Sequence, residues 1–146
     1  MAIIQTEIAK GLKMVPQAFT SGAVITYQAE LVIPTGTSVT TSDIVELAVL
    51  PAFHRAVDGL IIPSGNYDGA TADIGLMSGA VGDPSTDRTS GAEIFDDVAL
   101  TALARITKGD ALVKASTDSD RSIGVKFSKT ITGAGQKLIL QLLLTQ

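Results

Sequence analysis

His54 is the only histidine of the chain and stands in the stretch AFHRAV, which reads as part of a strand. With no cysteine to serve as a nucleophile and no second histidine to share a metal, it completes neither a thiol–imidazole pair nor a zinc site. A Ser/His/Asp triad would have to borrow it, yet no serine sits in a GxSxG-like elbow. The adjacent carboxylates Asp96 and Asp97 fall in a stretch with helical spacing, where neighbours in sequence do not share a face; a solvated first turn, favoured by the helix dipole, accounts for them. Asp83 and Asp87 in GDPSTDR, and Asp118 and Asp120 in STDSDR, could offer oxygens to a hard cation. Neither pair matches the EF-hand pattern, and Asx turns explain aspartates in such loops. Gly133 and Gly135 in ITGAGQK lack the Lys-Ser/Thr of a phosphate loop and lie between two strands, which makes the segment a hairpin loop. The residues therefore point to no catalytic group, cofactor or metal. Arg88 and Arg121, which follow the two acidic loops, are expected at interfaces, with ordinary surface ion pairs as the simpler reading.

Composition narrows the function classes further. The chain has 146 residues, enough for one domain with a sizeable core. Only 18% of residues are charged, 45% are hydrophobic and 14 are glycine. The charged fraction lies below the roughly 25% usual for soluble domains, so some apolar surface is expected to meet other copies or another protein. A net charge of −4 offers no basic footprint, which argues against nucleic acid as a partner. Without cysteine the fold must hold without disulfides. No apolar run reaches the roughly 20 residues of a membrane helix, and residues 1–15 lack a long apolar core of the signal-peptide kind, so a soluble cytoplasmic product is expected.

The elements that would position these side chains alternate with period two. Residues 1–21 have no clean period, contain Gly11 and Pro16, and read as an N-terminal arm; residues 22–146 read as a single domain. In residues 24–33, Ile25, Tyr27, Ala29, Leu31 and Ile33 form one face and Thr26, Gln28 and Glu30 the other. Strands follow at 44–50, ended by Pro51, at 53–62, ended by Pro63 and Gly65, and at 71–77. A long loop, SGAVGDPSTDRTSGA, comes next. Ile94, Phe95, Val98, Ala99, Ala102, Leu103 and Ile106 lie on a 3.6-residue stripe, and Ser90 with Glu93 has capping-box spacing, which predicts one short helix near residues 91–106. A short strand is expected at 111–115. In the closing pair, Ile123, Val125 and Phe127 alternate with Ser122, Gly124 and Lys126. Residues 138–144 are apolar on both faces apart from Gln141, as in a central strand or one sealed by a neighbouring subunit. The series predicts an all-β, antiparallel β-sandwich of the jelly-roll kind, with barrel closure as the nearest competitor.

The succession LPAFHRAVDGLIIPSG, ATADIGLMSG, GAEIFDDVAL and DRSIGVKFSKTITGAGQKLILQLLL resembles the cement, or head-decoration, proteins of tailed bacteriophages, over roughly residues 22–146. The resemblance implies a jelly-roll domain that binds the outside of an icosahedral shell as a homo-oligomer, dimer or trimer, and clamps neighbouring major capsid proteins together. It implies a virion protein made in the host cytoplasm and carries no catalytic residues. A rigid β scaffold with polar loops and an arm suits that role. The expected contacts are Ile3, Ile4, Leu12, Met14, Val15 and Phe19 of the arm, together with Asp83, Asp87, Arg88 and Arg121. Two other classes share features of the chain: a phage tail or baseplate subunit, and a carbohydrate-binding jelly roll. The latter wants exposed aromatic platforms, and the chain has no tryptophan and only Tyr27 and Tyr67 besides its phenylalanines.

Overall fold

The computed structural model describes residues 1–15, 23–107, 109 and 115–146. Eleven strands run in chain order: β1 (Ile3–Gln5), β2 (Ile25–Ile33), β3 (Ser38–Val39), β4 (Ile44–Leu50), β5 (Arg55–Ser64), β6 (Thr71–Leu76), β7 (Phe95–Ala99), β8 (Ala104–Arg105), β9 (Arg121–Phe127), β10 (Ile131–Thr132) and β11 (Gln136–Thr145). A five-stranded sheet, β1-β4-β9-β6-β7, packs against a four-stranded sheet, β2-β11-β5-β8, while β3 and β10 form a small pair between the connecting loops. The antiparallel pairs are nested: β6 with β7, β5 with β8, β4 with β9 and β2 with β11. That is the pattern of one long hairpin wound up on itself, so the last strand closes beside the first long one.

Alternation decides which side chains enter the core. Tyr27, Ala29, Leu31 and Ile33 of β2 face inward with Leu138, Leu140, Leu142 and Leu144 of β11, and meet Val45, Ile74, Ile123, Val125 and Phe127 from the other sheet. Tyr27 spans the layers: its hydroxyl accepts a hydrogen bond from the Val49 N–H at 3.0 Å, and burial pushes its pKa up to about 12. Such a buried phenol is stable only with a polar partner.

Two expectations are corrected. The sheets are antiparallel except at β1, which pairs in parallel with β4 through Ile3↔Ile44, Ile4↔Val45 and Gln5↔Glu46. Among the described residues there is no helix, and residues 91–106 instead form β7, a turn and β8. β6 offers an open ladder to Phe95, Val98 and Ala99, and β5 offers one to Ala104 and Arg105. Asp97 breaks any helical run by adopting φ +53, a left-handed conformation that aspartate tolerates. Glu93 does not close a capping box; its Oε2 accepts the Leu76 N–H at 2.9 Å. The strand expected at 111–115 lies, apart from its last residue, outside the described residues.

Candidate interaction surfaces

The titratable groups singled out in the sequence are dispersed. His54 is buried at the turn between β4 and β5, with Nδ1 2.8 Å from the Ala52 carbonyl. Asp83 accepts the Ser85 N–H at 2.9 Å in an Asx turn, and Asp120 accepts the Ala52 N–H at 2.8 Å, tying the loop before β9 to the turn between β4 and β5. Asp96 and Asp97 lie exposed on β7, the outermost strand of its sheet. Among the described residues no three metal-ligating side chains converge. Tyr27 and Tyr67 are both buried, which removes them as stacking platforms for a sugar.

The strongest polar constellation joins residues from four segments. Glu46, the lone carboxylate in the apolar strand β4, is fully buried, and Oε1 accepts from Arg88 Nη2 and the Gly82 N–H, each at 3.0 Å, and from the Ser122 hydroxyl. Its Oε2 accepts from the Gln5 amide at 2.7 Å. Arg88 completes its donors with Nε to the Ser78 carbonyl and Nη1 to the Asp83 carbonyl, both at 2.8 Å, and Nη2 to Ser122 at 2.9 Å. Burial alone would raise the Glu46 carboxyl; the hydrogen bonds from Arg88, Ser122, Gly82 and Gln5 outweigh it and hold the group below the ordinary 4.5. A buried pair is stable only when every lone pair and proton is matched in this way.

Two glycines make room for that arrangement. Gly75 of β6 and Gly124 of β9 are register partners, and a Cβ at Gly124 would stand 2.5 Å from Ser90 Oγ and 2.6 Å from Met77 Cγ. With no side chains on the sheet at that point, the loop 77–93 lies flat on the outer face of the five-stranded sheet. Arg88 is the peg that holds it there. Its side chain is only 2% exposed, so it does not stand out at the surface as the reading of the sequence had it; the Glu46 carboxylate draws it inward.

The segment after β1 closes the same side of the sandwich. The Ala2 N–H donates to Asp43 Oδ1 at 2.9 Å, and the Thr6 hydroxyl donates to the Leu47 carbonyl at 2.7 Å. Residues 6–12 then form tight turns, with Leu12 N–H to the Glu7 carbonyl at 2.8 Å, and bury Ala9. Of the expected contact residues, Ile3 and Ile4 are half-buried in β1, and Val15 packs against the margin of the core. Leu12 is 73% and Met14 93% exposed. Leu12 lines a groove of about 690 Å³ between this segment and the β2 residues Gln28, Glu30 and Val32. Phe19 lies outside the described residues. Asp87 is exposed and Asp83 half-buried on the loop that Arg88 anchors. Arg121, at the start of the central strand β9, is half-buried, and its Nη2 donates to the His54 carbonyl at 3.3 Å.

Glu46, Ser122 and Phe53 are not among the residues singled out by motif or spacing. A single glutamate inside IVELAVL was a signal that a cationic partner must reach it. Phe53, 59% exposed at φ +63, carried no such signal, because its conformation is imposed by the Phe53 N–H donating to the Thr117 carbonyl at 2.7 Å.

No family model matches the sequence, and no curated protein is similar to it. Among solved structures, a chain of the capsid of Ralstonia phage GP4 has a TM-score of 0.84 and 29% identity, covering 99% of this chain and 98% of that one. A chain of the cyanophage Pam1 capsid asymmetric unit has a TM-score of 0.60 at 15% identity, over 91% of each chain. One from the acidic stable capsid of Helicobacter pylori bacteriophage KHP30 has a TM-score of 0.55 at 14% identity, over 87% of this chain and 90% of that one. The last two share the fold alone. Over nearly its whole length, the protein is therefore similar to a chain found in a bacteriophage capsid.

Proposed function

We propose that the protein is a non-enzymatic structural component of a bacteriophage virion, a cement protein that binds the outside of the capsid as a homo-oligomer and ties neighbouring major capsid proteins together. The observation that carries this reading is the full-length likeness, at 29% identity and a TM-score of 0.84, to a chain in the Ralstonia phage GP4 capsid. The nested order of the strand pairs supports the jelly-roll assignment that goes with it. The mechanism is mass action. A protein that binds only the assembled lattice adds its binding free energy to that lattice, by RT ln(1 + [L]/Kd) for each site.

The N-terminal segment and the loop 83–88 are the contacts with the shell in this reading. Leu12 and Met14 supply exposed apolar surface, and Asp87 a rim charge. Arg88 acts behind them, by fixing the loop. A density-gradient experiment tests the function: purified protein is mixed with phage heads stripped of it, and copies per particle are counted. Saturable binding at hundreds of copies, with stripped heads regaining heat resistance, is the expected result. No binding, or a dozen copies at one vertex, would replace this reading with the tail alternative.

A further inference from the structure

Among the described aromatic residues, Phe53 is the one that the fold does not use. Tyr27, Tyr67, Phe95 and Phe127 are buried, whereas Phe53 is 59% exposed and neither belongs to the core nor packs against it. Its backbone also suits a different side chain. At φ +63 it lies in the left-handed region, which glycine and asparagine enter readily and a bulky residue only under constraint. A phenylalanine held there, largely in water, contributes little to its own chain, so folding does not account for the residue type.

The turn around it is rigid. Residues 51–54 join β4 to β5, and each backbone N–H that the turn possesses is taken up within the chain. Ala52 donates to Asp120 Oδ1 at 2.8 Å, Phe53 to the Thr117 carbonyl at 2.7 Å and His54 to the Pro51 carbonyl at 3.2 Å. The Ala52 carbonyl lies 2.8 Å from His54 Nδ1, and the His54 carbonyl accepts from Arg121 Nη2 at 3.3 Å. We infer that Phe53 is an anchor, a ring displayed on this turn to enter an apolar pocket on a neighbouring protein chain of the capsid shell. The hydrogen bonds that fix the turn also select the chemistry of the pocket. With its backbone donors consumed internally, the turn has none to offer a carbohydrate or an anion, and the ring alone remains to be buried. A fixed turn loses little freedom on docking, and a phenylalanine has only two side-chain torsions to immobilise, which are the properties of an interface hot spot. The apolar character of the occupant follows from the turn itself; its being a shell protein rests on the capsid reading above.

Asparagine at position 53 separates fold from function, because it tolerates the left-handed backbone and carries no ring. Phe53→Asn is expected to leave the melting temperature unchanged or to raise it by up to about 4 °C. In gradient copy counts at graded concentrations, it is expected to bind stripped phage heads about thirtyfold or more weakly than the wild type. Leu103→Asn, which removes an equally exposed apolar side chain elsewhere, is expected to bind as the wild type does. The chain has no tryptophan, so Phe53→Trp adds a reporter. Its emission, with that of the heads subtracted, is expected to shift to the blue as the indole leaves water. A melting temperature for Phe53→Asn lower by more than about 4 °C would show that the ring serves its own core, and overturns the inference. An unshifted indole, or an equal loss of binding with Leu103→Asn, overturns it too. Phe53→Asn that binds heads as well as the wild type removes the anchor and leaves the capsid function. Wild-type protein that binds no heads removes the function, and the shell pocket with it.

Discussion

The outer faces of the two sheets start from similar strands and end differently. On the five-stranded sheet, the chain covers its own surface: loop 77–93 lies over Gly75 and Gly124, pegged by Arg88 into Glu46 and Ser122, and the N-terminal segment reaches the same carboxylate through Gln5. On the four-stranded sheet, Leu60, Ile62, Ile139 and Leu143 lie on the outer face and are half-buried. The difference teaches where each face spends its specificity. The closed face uses a buried charge, which demands a unique set of partners from its own chain. The other face uses apolar side chains, which make no such demand for a unique partner.

Removing one half of the buried pair should have the largest effect. Arg88→Ala leaves Glu46 buried without its cation and is expected to cost about 3–5 kcal/mol in urea unfolding. The double change Glu46→Leu with Arg88→Met should recover most of that loss; if the double variant is no more stable than the single one, the pair is not the peg described here. Gly124→Ala, whose new Cβ would meet Ser90 Oγ at 2.5 Å, should cost about 1–3 kcal/mol by overpacking and loosen the loop. Proteolysis within residues 78–92 checks that loosening.

Acid should act on the closed face next. Glu46 and Asp43 are each held below their ordinary values of 4.5 and 3.8, in both cases because hydrogen bonds outweigh the opposing effect of burial; for Asp43 the donors are chiefly Thr40 and the Ala2 N–H. A carboxylate whose pKa is lowered by folding contributes fully above its unfolded value and loses that contribution as pH falls through the folded one. Melting temperature is therefore expected to fall below about pH 4.5, where unfolded glutamates begin to take up protons. Glu46→Gln should flatten that decline. Leu143→Thr, on the outer face of the four-stranded sheet, should shift unfolding by less than about 1 kcal/mol, because little of the native core is lost. A large loss of stability instead would mean that this face is already covered by the chain itself.

Much of the fold was readable from period and punctuation. The alternation of residues 25–33 became β2, Pro34 ended it, and Gly133 and Gly135 flanked the turn leading into β11. The stretch 94–106 misled because Ile94, Phe95, Val98 and Ile106 satisfy a helical spacing and are also buried or half-buried in extended chain, while Ala99, Ala102 and Leu103 of the same stripe end up exposed. Nothing local could reveal that β6 and β5 each had an open ladder waiting. Arg88 was equally illegible as a buried residue, since its partners Glu46 and Ser122 lie 42 and 34 residues away.

By itself, then, the sequence determined the strand periods, the turns, the absence of thiol chemistry and an apolar excess in β11 that one sandwich face could not absorb. Those properties are local or additive. Tertiary structure alone decided which face closes over a buried charge, where β1 attaches, and that 91–106 is extended. Each of those depends on backbone groups and carboxylates brought from distant segments, and their hydrogen-bonding demand becomes costly only once folding has removed the water.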